Sequence, residues 1–331
     1  MDTSIGGKTA RDSAFGSEFV PVHMRITMLV VVVVPFLGLI AGIILLWGHG
    51  FSWAQLAIFM AMYLLSGLGM TVGFHRLFTH RSFETIRTVK LMLGILGSMT
   101  VEGPLLKWVA THRRHHQLSD TADDPHSPHV HGRGFLPMLR GFWHAHLGWV
   151  FGPESPGLSG YIKDLLPDRL LRVVSTLFPL WAILGLLIPA VLGGLLTMTW
   201  LGVLMGFLWG GLARIFFVQH MTFSINSVCH IWGERPLQSR DQSRNNVVFG
   251  ILGFGEGWHN NHHAFPTSAR HGLKWWQADL SYLVIRTMQA MRLAWKVRVP
   301  RVEAITAKLR EHSVDKLPAA DSSLSLTRGL C

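Results

Sequence analysis

Four long apolar runs are separated by two polar blocks. The runs fall at about residues 26–47, 51–72, 173–198 and 199–218, each close to the ~20 residues a helix needs to cross the hydrocarbon of a bilayer. They predict four membrane-spanning helices, joined in pairs by short uncharged connections, the first a tight reversal at 48–50. A further apolar run at 89–101 is too short to span and reads as interfacial or re-entrant. The polar blocks, about 73–172 and 219–312, form the rest of a membrane domain covering 23–312. Residues 1–22 are small and polar, a mobile amino-terminal tail with no cleavable signal peptide; 313–331 reads as a disordered carboxy-terminal tail.

Charge orients this arrangement. Lys8, Arg11 and Arg25 precede the first run, twelve basic residues lie between 75 and 172, fourteen follow 218, and the two short connections carry none. By the positive-inside rule both termini and both polar blocks face the cytoplasm, in a bacterial inner membrane on this reading. Only 15% of residues are charged, which suits a multi-pass membrane protein; the net charge of +11 then points to lipid headgroups and acidic partners rather than nucleic acid. Cys229 and Cys331 are the only cysteines, which excludes a disulfide framework and a Cys-rich metal site.

The histidines are clustered. His112-Arg113-Arg114-His115-His116 and His259-Asn260-Asn261-His262-His263 place imidazoles at i, i+3 and i+4, one face of a helix, and His75 with His80 makes a looser third box. So many neutral imidazoles indicate a polynuclear transition-metal site. The boxes stand at or beyond the ends of the spans, which argues against a bis-histidine haem buried at mid-membrane and against a transport path. No box contains the zincin His-Glu-x-x-His. Gly255 and Gly257 allow close backbone approach to the last box. Glu256, Asp120, Asp123 and Asp124 are candidates to hold imidazole N–H groups. His126 reads as structural, and His129, His131, His144 and His146 as loop or interface residues.

The segments GFHRLFTHRSF, THRRHHQLSDTADDPH, NSVCHIWG and GEGWHNNHHAFP, spread over about 73–266, resemble the four signatures of the membrane-bound acyl-CoA (delta-9, stearoyl-CoA-type) fatty acid desaturases. The resemblance implies an all-α integral membrane protein with four transmembrane helices and a cytoplasmic, His-rich helical cap holding a di-iron site. It implies metal ligation by His75, His80, His112, His115, His116, His230, His259, His262 and His263, with Asn226 acting through water. It places Trp108, Thr222 and Glu102 in the wall of a bent acyl tunnel, Glu102 standing where the family has glutamine. The Arg-Asp pair that grips CoA in the animal enzymes is replaced here by Ala110-Thr111, leaving Lys107, Arg113 and Arg114 as candidates for the acyl-carrier head group.

The implied activity is O₂-dependent insertion of a cis double bond at carbon 9 of a saturated C16–C18 acyl-CoA, as in a stearoyl-CoA 9-desaturase. Two iron ions are the cofactor and O₂ the co-substrate. Acyl carrier protein or phospholipid stays open as the acyl carrier. Iron fits because breaking unactivated C–H bonds needs redox chemistry that zinc lacks. No electron-transfer domain is fused, so electrons come from a separate ferredoxin, rubredoxin or cytochrome b5 type donor and its reductase, drawn by the basic face. Two alternatives share the histidines: a di-iron fatty-acid or alkane hydroxylase, and a non-enzymatic polytopic metal-binding transporter or sensor.

Overall fold

The computed structural model describes residues 20–49, 52–132, 134–153, 155 and 157–309. The expected amino-terminal tail up to residue 19, the carboxy-terminal tail over 313–331 and Gly50 of the first reversal lie outside the described residues. In chain order the helices are α1 (Val22–His49), α2 (Trp53–Thr79), α3 (Arg87–Ser98), α4 (Leu105–Leu118), α5 (Phe135–His146), α6 (Arg169–Thr176), α7 (Phe178–Thr197) and α8 (Trp200–Ile231). Four short ones follow: α9 (Val247–Leu252), α10 (His259–Ala264), α11 (Leu280–Ala290) and α12 (Val302–Ala307). The fold is predominantly helical; a two-residue strand Glu84–Thr85 pairs antiparallel with Ala294–Trp295.

Helices α1, α2, α7 and α8 are long and apolar enough to cross a membrane. Their boundaries differ from the hydropathy pattern in an informative way. Helices α2 and α8 do not end near residues 72 and 218 but continue to Thr79 and Ile231. These polar extensions are buried by the cap instead of by lipid, so hydropathy falls while the helix goes on. His75, Asn226 and His230 therefore ride on the same rods that form the spans. The third span starts at Phe178, because 169–176 is a separate amphipathic helix. Asp168 caps it, accepting from the Leu170 N–H at 3.0 Å, with Leu171 and Val174 buried and Arg169 and Arg172 exposed.

The run at 89–101 is indeed no span: α3 has 12 residues, about 18 Å of helix. It lies against α2 at near backbone contact, since a methyl group added to Gly69 would sit 2.2 Å from the Gly97 nitrogen. Helices α7 and α8 form a similar glycine-lined hairpin, Gly193 against the Gly202 carbonyl. Arg214, fully buried on α8, ties three elements together. Its Nε donates to the Gly210 carbonyl at 3.1 Å, Nη2 to Gly185 on α7 at 2.7 Å, and Nη1 to Met99 beyond α3. The cap packs on Val72, Phe74, Leu105, Val109 and Ile285. It leaves Phe135, Leu136, Leu139 and Trp143 of α5 exposed, an apolar face suited to the headgroup boundary.

Candidate metal centre

The eight histidines of the boxes, with His230 from the family resemblance, converge in two abutting groups. His75, His80, His112, His116 and His262 form one, His115, His230, His259 and His263 the other, and within each the ligand-type atoms lie within 4.8 Å of one another. Helix geometry explains the division. With 100° per residue, i+4 returns to within 40° of i, whereas i+3 turns about 60° to the other side. Each three-histidine box accordingly gives its i, i+4 pair to one centre and its i+3 member to the other: His112 and His116 against His115, His259 and His263 against His262. His80 follows His75 by five residues, a spacing an α-helix would splay. Gly69–Thr79 is π-helical, with the His80 N–H on the His75 carbonyl at 3.1 Å, and the wider turn returns both rings to one side.

Ring nitrogens face one another at hydrogen-bond distance. Nε2 of His75 lies 3.1 Å from Nε2 of both His262 and His80; His262 Nε2 is 2.9 Å from His116 Nε2, which is 3.1 Å from His112 Nε2. In the second group His230 and His259 meet through Nε2 at 3.1 Å. Carboxylates take the other ring nitrogen of four histidines: Glu256 on His75 Nδ1 at 2.6 Å, Asp124 on His115 at 2.9 Å, Asp120 on His230 at 3.1 Å and Asp241 on His263 at 2.5 Å. A proton held at Nδ1 leaves Nε2 as a bare lone pair. Nε2 of His115 and of His263 is buried with no hydrogen-bond partner. Opposed lone pairs at ~3 Å are repulsive alone, but two nitrogens each ~2.1 Å from one cation at right angles lie about that far apart. The residues present fit metal ions at both groups.

The electrostatics agree for most of the rings. Burial, aided by neighbouring imidazoles, holds His80, His112, His116, His259 and His262 well below the ordinary histidine range, in the neutral form that binds metal. Burial would raise the Asp120, Asp124 and Asp241 carboxyls; their histidine partners outweigh it and hold all three below the usual carboxylate range. Glu256 is held down in the same way by His75, His271 and Arg76. Replacing Asp124 by asparagine removes the charge that fixes the His115 tautomer. The expected result is a loss of about 10–100-fold in metal affinity with the fold retained, checked by chelator competition.

Of the four acids expected to act this way, Asp123 does not touch a ring; its carbonyl accepts from Arg114 Nε at 3.3 Å. Asp241 takes its place, and His271 is a further buried histidine, its ring 4.4 Å from that of His262 and its Nδ1 3.4 Å from Glu256. Both were missed, since neither belongs to a box. The His126 ring lies tilted against that of His115, 4.3 Å between centroids. His129 bonds the His230 carbonyl, His146 bonds Ser227 and His220, and His131 faces His144, all outside the two groups. The tight contacts of Gly255 (φ 109°) and Gly257 are not with the last box, as expected, but with Asp279 and the Gly250 backbone respectively.

Beside the histidines lies a cavity of about 500 Å³ with mostly apolar walls. Trp108, Thr222 and Glu102 line it together, with Met24, Met28 and Val31 of the first span, and Asn226, His75, His112 and His259 at the histidine side. Trp108 stacks on His112 at 5.0 Å. Of the three candidate head-group residues, Lys107 lines this cavity. Arg113 uses all five of its N–H donors on the Phe78, Thr79 and Tyr161 carbonyls and both Asp164 oxygens, at 2.6–3.1 Å.

The profile of the fatty acid desaturase family matches residues 51–295. The chain is 42% identical over 303 residues to a hex-5-enoyl-[acyl-carrier protein] acetylenase of Moorena producens, covering 91% of this chain and 94% of that one. It is 40% identical to the icosanoyl-CoA 5-desaturase of Limnanthes douglasii, over 80% of this chain and 70% of that one. To the sn-1 stearoyl-lipid 9-desaturase of Anabaena variabilis it is 37% identical, over 80% and 92%. Family profile, relatives, four spanning helices and paired histidine clusters coincide: the chain belongs to the fatty acid desaturase family.

Proposed function

We propose that this protein is a di-iron desaturase that inserts a cis double bond at carbon 9 of a saturated C16–C18 acyl chain while that chain is part of a membrane lipid. The observation that carries the reading is the contact between two groups of converging imidazole nitrogens and an apolar cavity that takes part of its wall from the first membrane span. An acyl chain in the bilayer reaches such a wall without leaving apolar surroundings. Arg113, fully engaged within the protein, is not free to grip a CoA phosphate. The stearoyl-lipid relative supports the lipid carrier; the acyl-carrier and CoA relatives make those carriers the arms of the test.

His75, His80, His112, His116 and His262 would hold one iron, and His115, His230, His259, His263 and, through water, Asn226 the other. When bound, the iron pair supplies the redox chemistry that uses O₂ to remove two hydrogens from a CH₂–CH₂ unit. With two electrons and two protons from a separate donor, O₂ leaves as two waters. The protein does the rest. Asp120, Asp124, Asp241 and Glu256 orient four rings through Nδ1–H, the apolar walls exclude water from the acyl chain, and the Trp108 wall sets which methylenes lie beside the histidines. The basic residues of the cap, placed on the cytoplasmic side by the positive-inside rule, would draw in an acidic electron-carrier protein.

Purified protein reconstituted with iron, O₂ and a ferredoxin system would be given stearoyl-CoA, stearoyl-acyl carrier protein and sn-1-stearoyl phospholipid in parallel. The expected product is a cis-9 alkene on the phospholipid. Alkene only on a thioester overturns the lipid carrier, and an alcohol in place of the alkene overturns desaturation in favour of hydroxylation.

A further inference from the structure

The loop between α3 and α4 holds an acid under strain. Val101 is left-handed (φ 62°), a costly conformation for a β-branched residue, and Gly103 follows at φ 109°. Gln219 Nε2 pins the Val101 carbonyl at 3.2 Å and Arg214 the Met99 carbonyl. The result is that Glu102, between the two left-handed residues, turns its carboxyl into the cavity wall. There Thr222 Oγ1 lies 2.9 Å from Oε1 and Trp108 Nε1 lies 3.2 Å from Oε2. Indole N–H is only a donor, so Oε2 must accept; a hydroxyl can do either, so Oε1 is free to carry a proton and donate to Thr222.

We propose that Glu102 is a positioning residue that works as a neutral carboxylic acid, bridging Trp108 of α4 to Thr222 of α8 so that the wall beside the metal centre admits an apolar acyl chain. This rests on the reading of the cavity as the acyl site. Burial pushes the carboxyl up to about 8, against the pull of the Thr222 and Trp108 hydrogen bonds, and a chain that displaces water from the cavity favours the neutral form further. Loss of the proton puts a net charge against the chain and turns Oε1 into an acceptor only. Rising pH therefore weakens acyl binding. Lys107 and His112 on α4, His75 on α2, His23 on α1, and His126, Glu256 and His259 of the cap line the same cavity, and Arg214 of α8 reaches the loop. The amide of Glu102→Gln isolates the one group from all of these, since it keeps an acceptor for Trp108 and a donor for Thr222 without a titrating proton.

The test is binding of tritiated methyl stearate, which has no titratable group, to the full-length protein in nanodiscs, before any turnover. Between about pH 7 and about pH 9.5 the wild-type dissociation constant is expected to rise about tenfold or more, as the neutral fraction falls. The dissociation constant of Glu102→Gln should stay flat over this range, and its KM, not its kcat, should lose the alkaline rise. The same pH dependence in wild type and Glu102→Gln, or none in wild type, overturns the proposal and leaves the cavity reading standing. Absence of methyl stearate binding at every pH overturns both.

Discussion

Replacing His262 by alanine is expected to abolish desaturation, by well over the ~100-fold that loss of a supporting carboxylate can cause, and to lower bound iron from two per chain to about one. His262 is the i+3 member of its box and the only residue of α10 in the five-histidine group. Its Nε2 sits between those of His75 and His116, at 3.1 and 2.9 Å. Removing it opens one centre while leaving His115, His230, His259 and His263 of the other in place. Iron analysis of the purified variant beside wild type reads the effect. Two irons retained by the variant would show that the imidazoles are not grouped around metal as the geometry requires.

The second large effect concerns stability. Arg76 is fully buried one residue after His75 and is neutralised by Asp279 at 2.8 Å and Glu256 at 3.2 Å. Asp279 also accepts the His271 N–H at 2.7 Å, the Gly272 N–H at 3.1 Å and the Tyr282 N–H at 2.9 Å, the last capping α11. Asp279→Ala strips Arg76 of one partner and leaves these backbone donors buried. A buried pair broken on one side costs about 3–5 kcal/mol, so thermal unfolding should shift down by about 5 °C, with iron lost at lower temperature because Glu256 also holds His75. Asp279→Asn, which keeps acceptors for the backbone, should fall between the two.

The spans, the cap and the histidine boxes were legible because each has a local signal: run length for lipid, and i, i+3, i+4 spacing for a shared helix face. The grouping of the boxes was half legible. The angular offset of i+3 from i+4 is written in the sequence, but which centre receives the pair depends on how α4 and α10 face each other. His75 and His80 looked loosely spaced because the π-helical turn that reunites them has no signal in the residues themselves. Asp241 and His271 lie outside every box, and Arg76 meets Asp279 across 203 residues, so their partnerships exist only in the folded chain. The far ends of α2 and α8 were misplaced for a related reason: hydropathy reports lipid contact, and His75 and His230 leave lipid for the cap without leaving their helices.

The most direct test is X-ray absorption at the iron edge of the purified, iron-loaded protein with quantified metal. Two irons per chain, each surrounded by four or five nitrogen neighbours at about 2.1 Å, is the expected result. A single iron per chain, or a shell dominated by oxygen or sulfur, would contradict the two-centre histidine site on which the proposed chemistry depends.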